Sequence, residues 1–330
     1  MRQNVTFLIV LGFAALAFSG YAVVPNDTVM GNWEGQWYDE SFGGGTLSVQ
    51  VIAEGKGNYR AIISADIGEV EPIRGEARGK REGDEVSFKG KIEAGPDYGG
   101  VHELTGKVSD GKFTGQYAGE NRGRFDAKRV RKVSPTIGAK PPEGAVILFD
   151  GKDKSKWFGK NDTPNPWKLV DGAMEVVSGK GSIYTKQHFR DFKLHLEFCL
   201  DFMPTARGQG RCNSGVYLPG GNEIQVLDSF GLKPSRHDCG AFYGQAAPLV
   251  NACLPPGEWQ TYDVTFIAPR FDDKGERVKN AIITVFHNGI KTHDQFRPRR
   301  EGVPSGGIQL QDHDNRLWYR NIWLVPLRED

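Results

Sequence analysis

The sequence predicts an all-β protein built from two consecutive modules of packed antiparallel sheet. Three observations carry that expectation. Short runs along most of the chain alternate apolar and polar residues with the period of two that half-buried strands show. Between these runs fall 43 glycines and 18 prolines, which mark turns. Apolar residues at helical spacing are scarce throughout.

The first element lies outside both modules. Arg2 precedes an apolar run over 5–18, and Gly20-Tyr21-Ala22 offers small residues at the positions a signal peptidase reads. Residues 1–22 are therefore expected to be a cleaved signal peptide, giving a periplasmic or secreted protein that begins at Val23. The run is shorter than the roughly 20 residues of a spanning helix, and nothing later is as apolar. No integral membrane segment is expected after cleavage. Roughly 300 residues then remain, enough for two cores. The 42 Lys and Arg nearly balance the 41 Asp and Glu, which argues against a nucleic-acid or anionic-membrane partner held by bulk charge. No nucleotide cofactor is expected.

The first module, 23–132, carries short strands at 33–37, 46–52, 59–64, 86–92, 103–108, 112–117 and 124–129. Glycine turns such as Glu82-Gly83-Asp84 separate them, predicting a meander that closes into a small barrel or sandwich. Trp33 and Trp37 are read as plugs of its core rather than as a sugar-stacking pair. His102 has no partner pattern, so this module is assigned no catalysis. A linker follows at 133–144, where Ser134-Pro135-Thr136-Ile137-Gly138-Ala139-Lys140-Pro141-Pro142 interrupts all periodicity.

The second module, 145–330, continues with strands at 145–149, 167–170, 173–177, 181–185, 192–200, 214–218, 223–227, 260–267, 281–287, 307–311 and 318–325. That many strands without a helix predict a two-sheet sandwich. Its four cysteines, Cys199, Cys212, Cys239 and Cys253, allow three pairings. Cys239 and Cys253 flank a loop-like stretch and are the first pair to consider for a disulfide. Cys199 reads as a buried small hydrophobe. No C-x-x-C spacing supports a zinc-thiolate or thioredoxin-type site.

Three runs suggest where chemistry resides: Asn213-Ser214-Gly215-Val216-Tyr217-Leu218, Glu223-Ile224-Gln225-Val226-Leu227-Asp228 and Ile308-Gln309-Leu310-Gln311-Asp312-His313. Alternation puts their apolar residues on one face and their carboxylate, amide and imidazole groups on the other. Such a face can grip hydroxyls. Together with Pro256-Gly257-Glu258-Trp259, Asn288-Gly289 and Arg320-Asn321-Ile322, these motifs occur in an order that resembles the 3-keto-disaccharide hydrolase domain family over about 145–327. The resemblance implies a concanavalin A-like jelly-roll sandwich. It also implies action on glycosides oxidised to a ketone at C3, in some members by 1,2-elimination and hydration. The first module is not covered by it.

A C3 ketone acidifies the C2 proton, so a carboxylate or imidazole can remove it if the enolate oxygen is stabilised. Glu223 and His313 are the expected acid/base pair, with Glu197 supporting them. Asn213, Gln225, Gln311 and Arg320 are expected to bind hydroxyls or the oxyanion. Asp228 lies one step out of phase with Glu223 and Gln225, and a bend is needed to bring it to their face. Tyr243 and His237 are further candidates on a loop that can reach the cleft. Glu197, Glu223 and His313 are also candidate ligands for a divalent metal that polarises the ketone. A two-carboxylate glycosidase acting on an unoxidised sugar and a non-catalytic carbohydrate-binding protein are the alternatives.

Overall fold

The computed structural model describes residues 27–41, 43–68, 72–299 and 302–327. The expected signal peptide at 1–22 lies outside the described residues. Among them no helix is long and apolar enough to cross a membrane. Among the described residues helix is confined to three single-turn 3-10 segments, and the fold is all-β.

Eight antiparallel strands close into a barrel in sequence order: Gly31–Asp39, Gly43–Gly55, Asn58–Ala65, Ile73–Glu82, Glu85–Glu93, Val101–Ser109, Lys112–Ala118 and Arg122–Val130. Closure is direct, since Gln36 stands opposite Thr46 on one side and Asp126 on the other. Closing the sheet removes its edges, so every strand backbone finds a partner. The strand Ile73–Glu82 was not foreseen in the sequence. Its inward positions include Gly75 and Gly79, because a Cβ at Gly79 would strike the Phe88 ring at 2.4 Å and one at Gly75 would meet Ile92 at 2.8 Å. The neighbouring strand fills the interior for it, so no apolar alternation is written there. Trp33 and Trp37 are both buried barrel residues, as the plug reading expects.

The second module packs two sheets face to face. One has five strands, in the order Trp157–Phe158, Ile183–Thr185, Gln309–Leu310, Ser214–Leu218, Asn222–Val226. The other has eight, with Lys168–Val170, Ala173–Glu175, Leu317–Pro326, Phe192–Leu200, Trp259–Ile267, Ile282–His287 and Ile290–Phe296 in order and Val146–Phe149 paired beside Leu317–Pro326. Phe192, Leu194, Leu196, Phe198, Tyr262 and Val264 from the large sheet meet Val216, Ile224, Val226 and Leu310 from the small one in a single buried core. The four cysteines are buried free thiols, Cys239 and Cys253 included.

The segment 133–144 is no slack tether. It lies as a strap over the outer face of the large sheet, pinned by hydrogen bonds that its sequence does not announce. Ser134 Oγ meets Thr261 Oγ1 at 2.6 Å, Thr136 Oγ1 donates to Asp263 Oδ2 at 2.6 Å, and Gly138 N–H donates to Glu197 Oε1 at 2.6 Å. Asn321 Nδ2 and Trp323 Nε1 both donate to the Ala139 carbonyl, at 3.0 and 3.3 Å.

This strap corrects the placement of two predicted site residues. Glu197 and Arg320 were expected in the sugar cleft, but both serve the strap on the far side of the sandwich. A bulge in the last strand, with Asn321 at φ 45°, turns both Arg320 and Asn321 toward Glu197. Arg320 Nε donates to Glu197 Oε2 at 2.7 Å and Asn321 Nδ2 to Oε1 at 2.8 Å. The Arg320 guanidinium also stacks 3.9 Å from the Trp259 ring centre. Burial alone would raise the Glu197 carboxyl, but the nearby His195 imidazole, the hydrogen bond from Asn321 and the charge of Arg320 outweigh it and hold it at about 2.

Asp228 is corrected as well. No bend brings it outward. It is buried, and Arg211 Nε donates to its Oδ2 at 2.5 Å while Arg211 Nη2 reaches the Ala53 carbonyl of the barrel at 3.3 Å. This pair ties the modules together, helped by Arg207 Nη2 on the Glu54 carbonyl at 2.9 Å. Burial outweighs Arg211 and raises the Asp228 carboxyl.

Candidate active site

Strand register builds the site on the outer face of the five-stranded sheet. On the core side Val216 stands opposite Ile224 and Leu310, and Leu310 opposite Ile183. One residue along, Phe158, Tyr184, Gln309, Tyr217 and Glu223 stand opposite one another across all five strands. This outward row mixes three aromatic rings, an amide and a carboxylate. Glu223 is the one carboxylate that the five strands contain.

Beside that row Gly215 stands opposite Gln225. A Cβ at Gly215 would come within 2.3 Å of Glu223 Oε1, so the carboxylate lies over the glycine. The missing side chain is what makes room for it.

A chain of amides fixes the orientation of Gln225. Gln209 Nε2 donates to the His237 carbonyl at 2.9 Å, so Gln209 Oε1 must accept. It accepts from Gln225 Nε2 at 2.9 Å and from Asn213 Nδ2 at 3.1 Å. Gln225 therefore turns its carbonyl oxygen away, and that oxygen is buried with no partner among the described residues. Gln311 repeats the motif: Nε2 donates to Tyr217 Oη at 3.1 Å and Oε1 has no partner there. A buried acceptor left unpaired costs about 1–3 kcal/mol, a cost that a sugar hydroxyl or a water removes.

The wall beyond Glu223 is backbone laid against the last strand of the sheet. Gln225 N–H donates to the Ala241 carbonyl at 2.9 Å and Tyr243 N–H to the Glu223 carbonyl at 3.1 Å. The His237 and Tyr243 rings meet edge to face at 5.2 Å. At the other end of the row Phe158 and Tyr184 line an open hollow of about 570 Å³ with Asp162, Lys186 and His188.

The structure thus brings together Glu223, Gln225, Gln311, Asn213, Tyr243 and His237, with Asn213 acting behind Gln209. His313 departs from the expected alternation. The strand ends at Leu310, and Asp312 caps a turn by accepting Gly181 N–H at 2.8 Å and Asp314 N–H at 3.0 Å. His313 is exposed on the loop this turn begins, two residues past Gln311. Asn315 Oδ1 anchors the loop by accepting Asn213 N–H at 2.7 Å.

Glu197 and Glu223, two of the three candidate metal ligands, lie on opposite outer faces of the sandwich and cannot share one ion. Among the described residues no group of three or more His, Cys, Asp or Glu is arranged to hold an ion.

Sequence reasoning missed Phe158, Tyr184, Tyr217, Gln309 and Gln209 as site residues. Tyr184 and Tyr217 carried a signal, since each is a polar-tipped ring between inward-facing residues. Gln209 carried none, because it stands in a 3-10 turn, Gly208–Gly210, and reaches the site only through tertiary contact.

An outer sheet face of aromatic rings, amides and one carboxylate, on a two-sheet sandwich, is suited to carbohydrate, and comparison with known proteins points to a carbohydrate-active enzyme. The chain belongs to the 3-keto-alpha-glucoside-1,2-lyase-like domain family, whose model matches residues 144–325. A crystal structure described as a "putative glycosyl hydrolase" from Parabacteroides distasonis is similar, with 35% identity and a TM-score of 0.53 over 56% of this chain and 85% of that one. A second from the same organism, with the same description, has 22% identity and a TM-score of 0.42 over 56% of this chain and 95% of the other. No curated protein matches the chain.

Proposed function

We propose that this protein cleaves the glycosidic bond of a 3-keto-glycoside by 1,2-elimination followed by hydration, and that it does so after export. One observation carries the mechanism: Glu223 is the sole carboxylate of the five strands, set over Gly215 among acceptors suited to hydroxyls. A hydrolase acting on an unoxidised sugar uses two carboxylates flanking the bond. With the C3 ketone lowering the C2–H acidity barrier, one base suffices.

In this reading the Glu223 carboxylate takes the C2 proton, and the electron pair of that C–H bond moves toward the ketone. The Tyr217 hydroxyl, backed by Gln311 Nε2, stabilises the enolate oxygen. The C1–O bond then breaks, its electron pair leaving on the aglycone oxygen, which takes a proton from His313. A C1=C2 double bond conjugated with the ketone remains. Water adds its hydroxyl to C1 and its remaining proton restores His313, while Glu223, its carboxyl proton exchanged with solvent in the interval, returns a proton to C2. Gln225 Oε1 and Gln311 Oε1 accept from sugar hydroxyls, and Tyr184 and Phe158 give the ring faces an apolar surface.

Incubation of the purified protein with matched 3-keto and ordinary glycosides tests the substrate class. Cleavage of the 3-keto sugar alone is expected. Equal cleavage of both would favour a conventional hydrolase, and binding without cleavage of either would favour a carbohydrate-binding protein.

A further inference from the structure

Four consecutive residues at the end of the barrel strand Gly43–Gly55 reach the loops that border the Glu223 face. A Cβ at Gly231 would come within 2.7 Å of Ile52 Cδ1, and a Cβ at Gly55 would lie 2.6 Å from Thr205 Cγ2. Between them the Ala53 carbonyl accepts from Arg211 Nη2 at 3.3 Å and the Glu54 carbonyl from Arg207 Nη2 at 2.9 Å. The sheet leaves this stretch available. Its pairing with the first strand stops at Val51, and a bulge between Ala53 and Gly55 leaves Glu54 with no residue opposite it on the third.

These contacts converge on one segment. Residues 203–213 cross from the large sheet to the small one, and Gln209 stands between the two arginines that the barrel holds. Arg207 also gathers its own segment, since its Nη1 donates to the Pro204 and Ala206 carbonyls at 2.6 and 2.8 Å. Arg211 fixes the other side through Asp228. Gln209 then donates to the His237 carbonyl and accepts from Gln225 and Asn213, while its own carbonyl accepts from Asn213 Nδ2 at 2.8 Å. His237 belongs to the loop that Gly231 seats on Ile52, so both ends of the Gln209–His237 hydrogen bond rest on the same barrel strand.

We propose that the barrel is a positioning module for the Glu223 face: Arg207 and Arg211 hold Gln209, and Gln209 aims the Gln225 carbonyl oxygen for a substrate hydroxyl. The inference rests on the function proposed above for the identity of that substrate. Arg207 bonds only to the barrel and to its own segment, so its influence on Gln225 passes through Gln209.

A double-mutant cycle on the full chain tests this order of action with a 3-keto-glycoside as substrate. Gln209→Leu should raise KM about tenfold and Arg207→Ala about threefold, because a hydroxyl contact of this kind is made before and during reaction alike. A loss of folded protein would instead lower kcat and leave KM alone. Arg207 is exposed, so its variant should melt with the wild type. Added to Gln209→Leu, Arg207→Ala should change nothing further, since two residues acting in series share one effect.

The same cycle is read without substrate in the NMR signal of the Gln225 side-chain amide. That signal should move in Gln209→Leu, move less in Arg207→Ala, and stay in place between Gln209→Leu and the double variant. Gly55→Ala, made in the barrel, presses on Thr205 and should move it as well. If Gln209→Leu fails to fold, Gln209→Ala takes its place. Additive effects on KM, or an amide signal unmoved by both Arg207→Ala and Gly55→Ala, would overturn the proposal. A wild type inactive on 3-keto-glycosides would remove the function proposed above instead, and the amide signal would still decide the role of the barrel.

Discussion

Glu223 and Gly215 work as one unit, since the carboxylate occupies the volume that any side chain at 215 would take. Two substitutions separate chemistry from stability. Glu223→Gln keeps the shape and removes the base, so kcat should fall by about 10²-fold or more with Tm nearly unchanged. Gly215→Ala leaves the base in place, but its Cβ would lie 2.3 Å from Glu223 Oε1 and must displace it. Loss of activity on a scale of about tenfold or more is expected there too, by misplacement of a reacting group. Kinetics and melting curves on both variants check this, and full activity in Gly215→Ala would contradict the account. Glu223 and Gln225 were legible in the sequence because alternation reveals which face a residue occupies. Glu197 shows the limit of that rule. Its strand alternates equally well, yet the pattern does not say that a strap from elsewhere covers its face.

The strap gives its own predictions at the scale of an element. Its network joins His195, Asp263, Glu197, Arg320 and Asn321, with His195 Nδ1 at 2.6 Å from Asp263 Oδ1. The Glu197 carboxyl is held at about 2, below its unfolded value, so its contribution is present above about pH 4.5 and lost as pH falls toward 2. His195 moves the other way. Burial lowers it, but Asp263 and Glu197 outweigh burial and raise it, so its contribution is complete below its unfolded value of about 6.5 and is lost as pH rises through the folded value. Melting temperature should therefore peak between about pH 4.5 and 6.5 and fall on both sides. Glu197→Gln should flatten the acid limb. Glu197→Ala should cost about 3 kcal/mol, the scale of removing one partner from a buried ion pair. A fragment beginning at 145 lacks the strap and leaves this face uncovered, so it should melt well below one beginning at 133; equal melting temperatures would show that the strap contributes nothing. The linker reading located the segment but not its contacts, because its pairs with Thr261, Asp263 and Glu197 are set by tertiary register. The barrel strand Ile73–Glu82 was hidden for a related reason: its inward glycines are explained by Phe88 and Ile92 on the next strand.

At the scale of the whole molecule, two all-β modules are joined through Arg211, Arg207 and the strap, and the face that carries Glu223 points away from the strap. The order of modules was legible because glycine and proline punctuate short alternating runs. Export, proposed from the apolar run at 5–18, predicts that protein from the native host begins near Val23, and terminal sequencing that finds Met1 would contradict it. The central claim is that a base on the small sheet begins the reaction by taking the C2 proton of a 3-keto sugar. Cleavage in deuterium oxide, followed by mass and NMR analysis of the released keto sugar, reads this directly, with the unreacted substrate and an enzyme-free incubation of the product as controls for spontaneous exchange. The account predicts deuterium at C2 acquired during turnover and lost in step with activity in Glu223→Gln. Turnover that leaves the original hydrogen at C2 would contradict it, because displacement at C1 never breaks that bond.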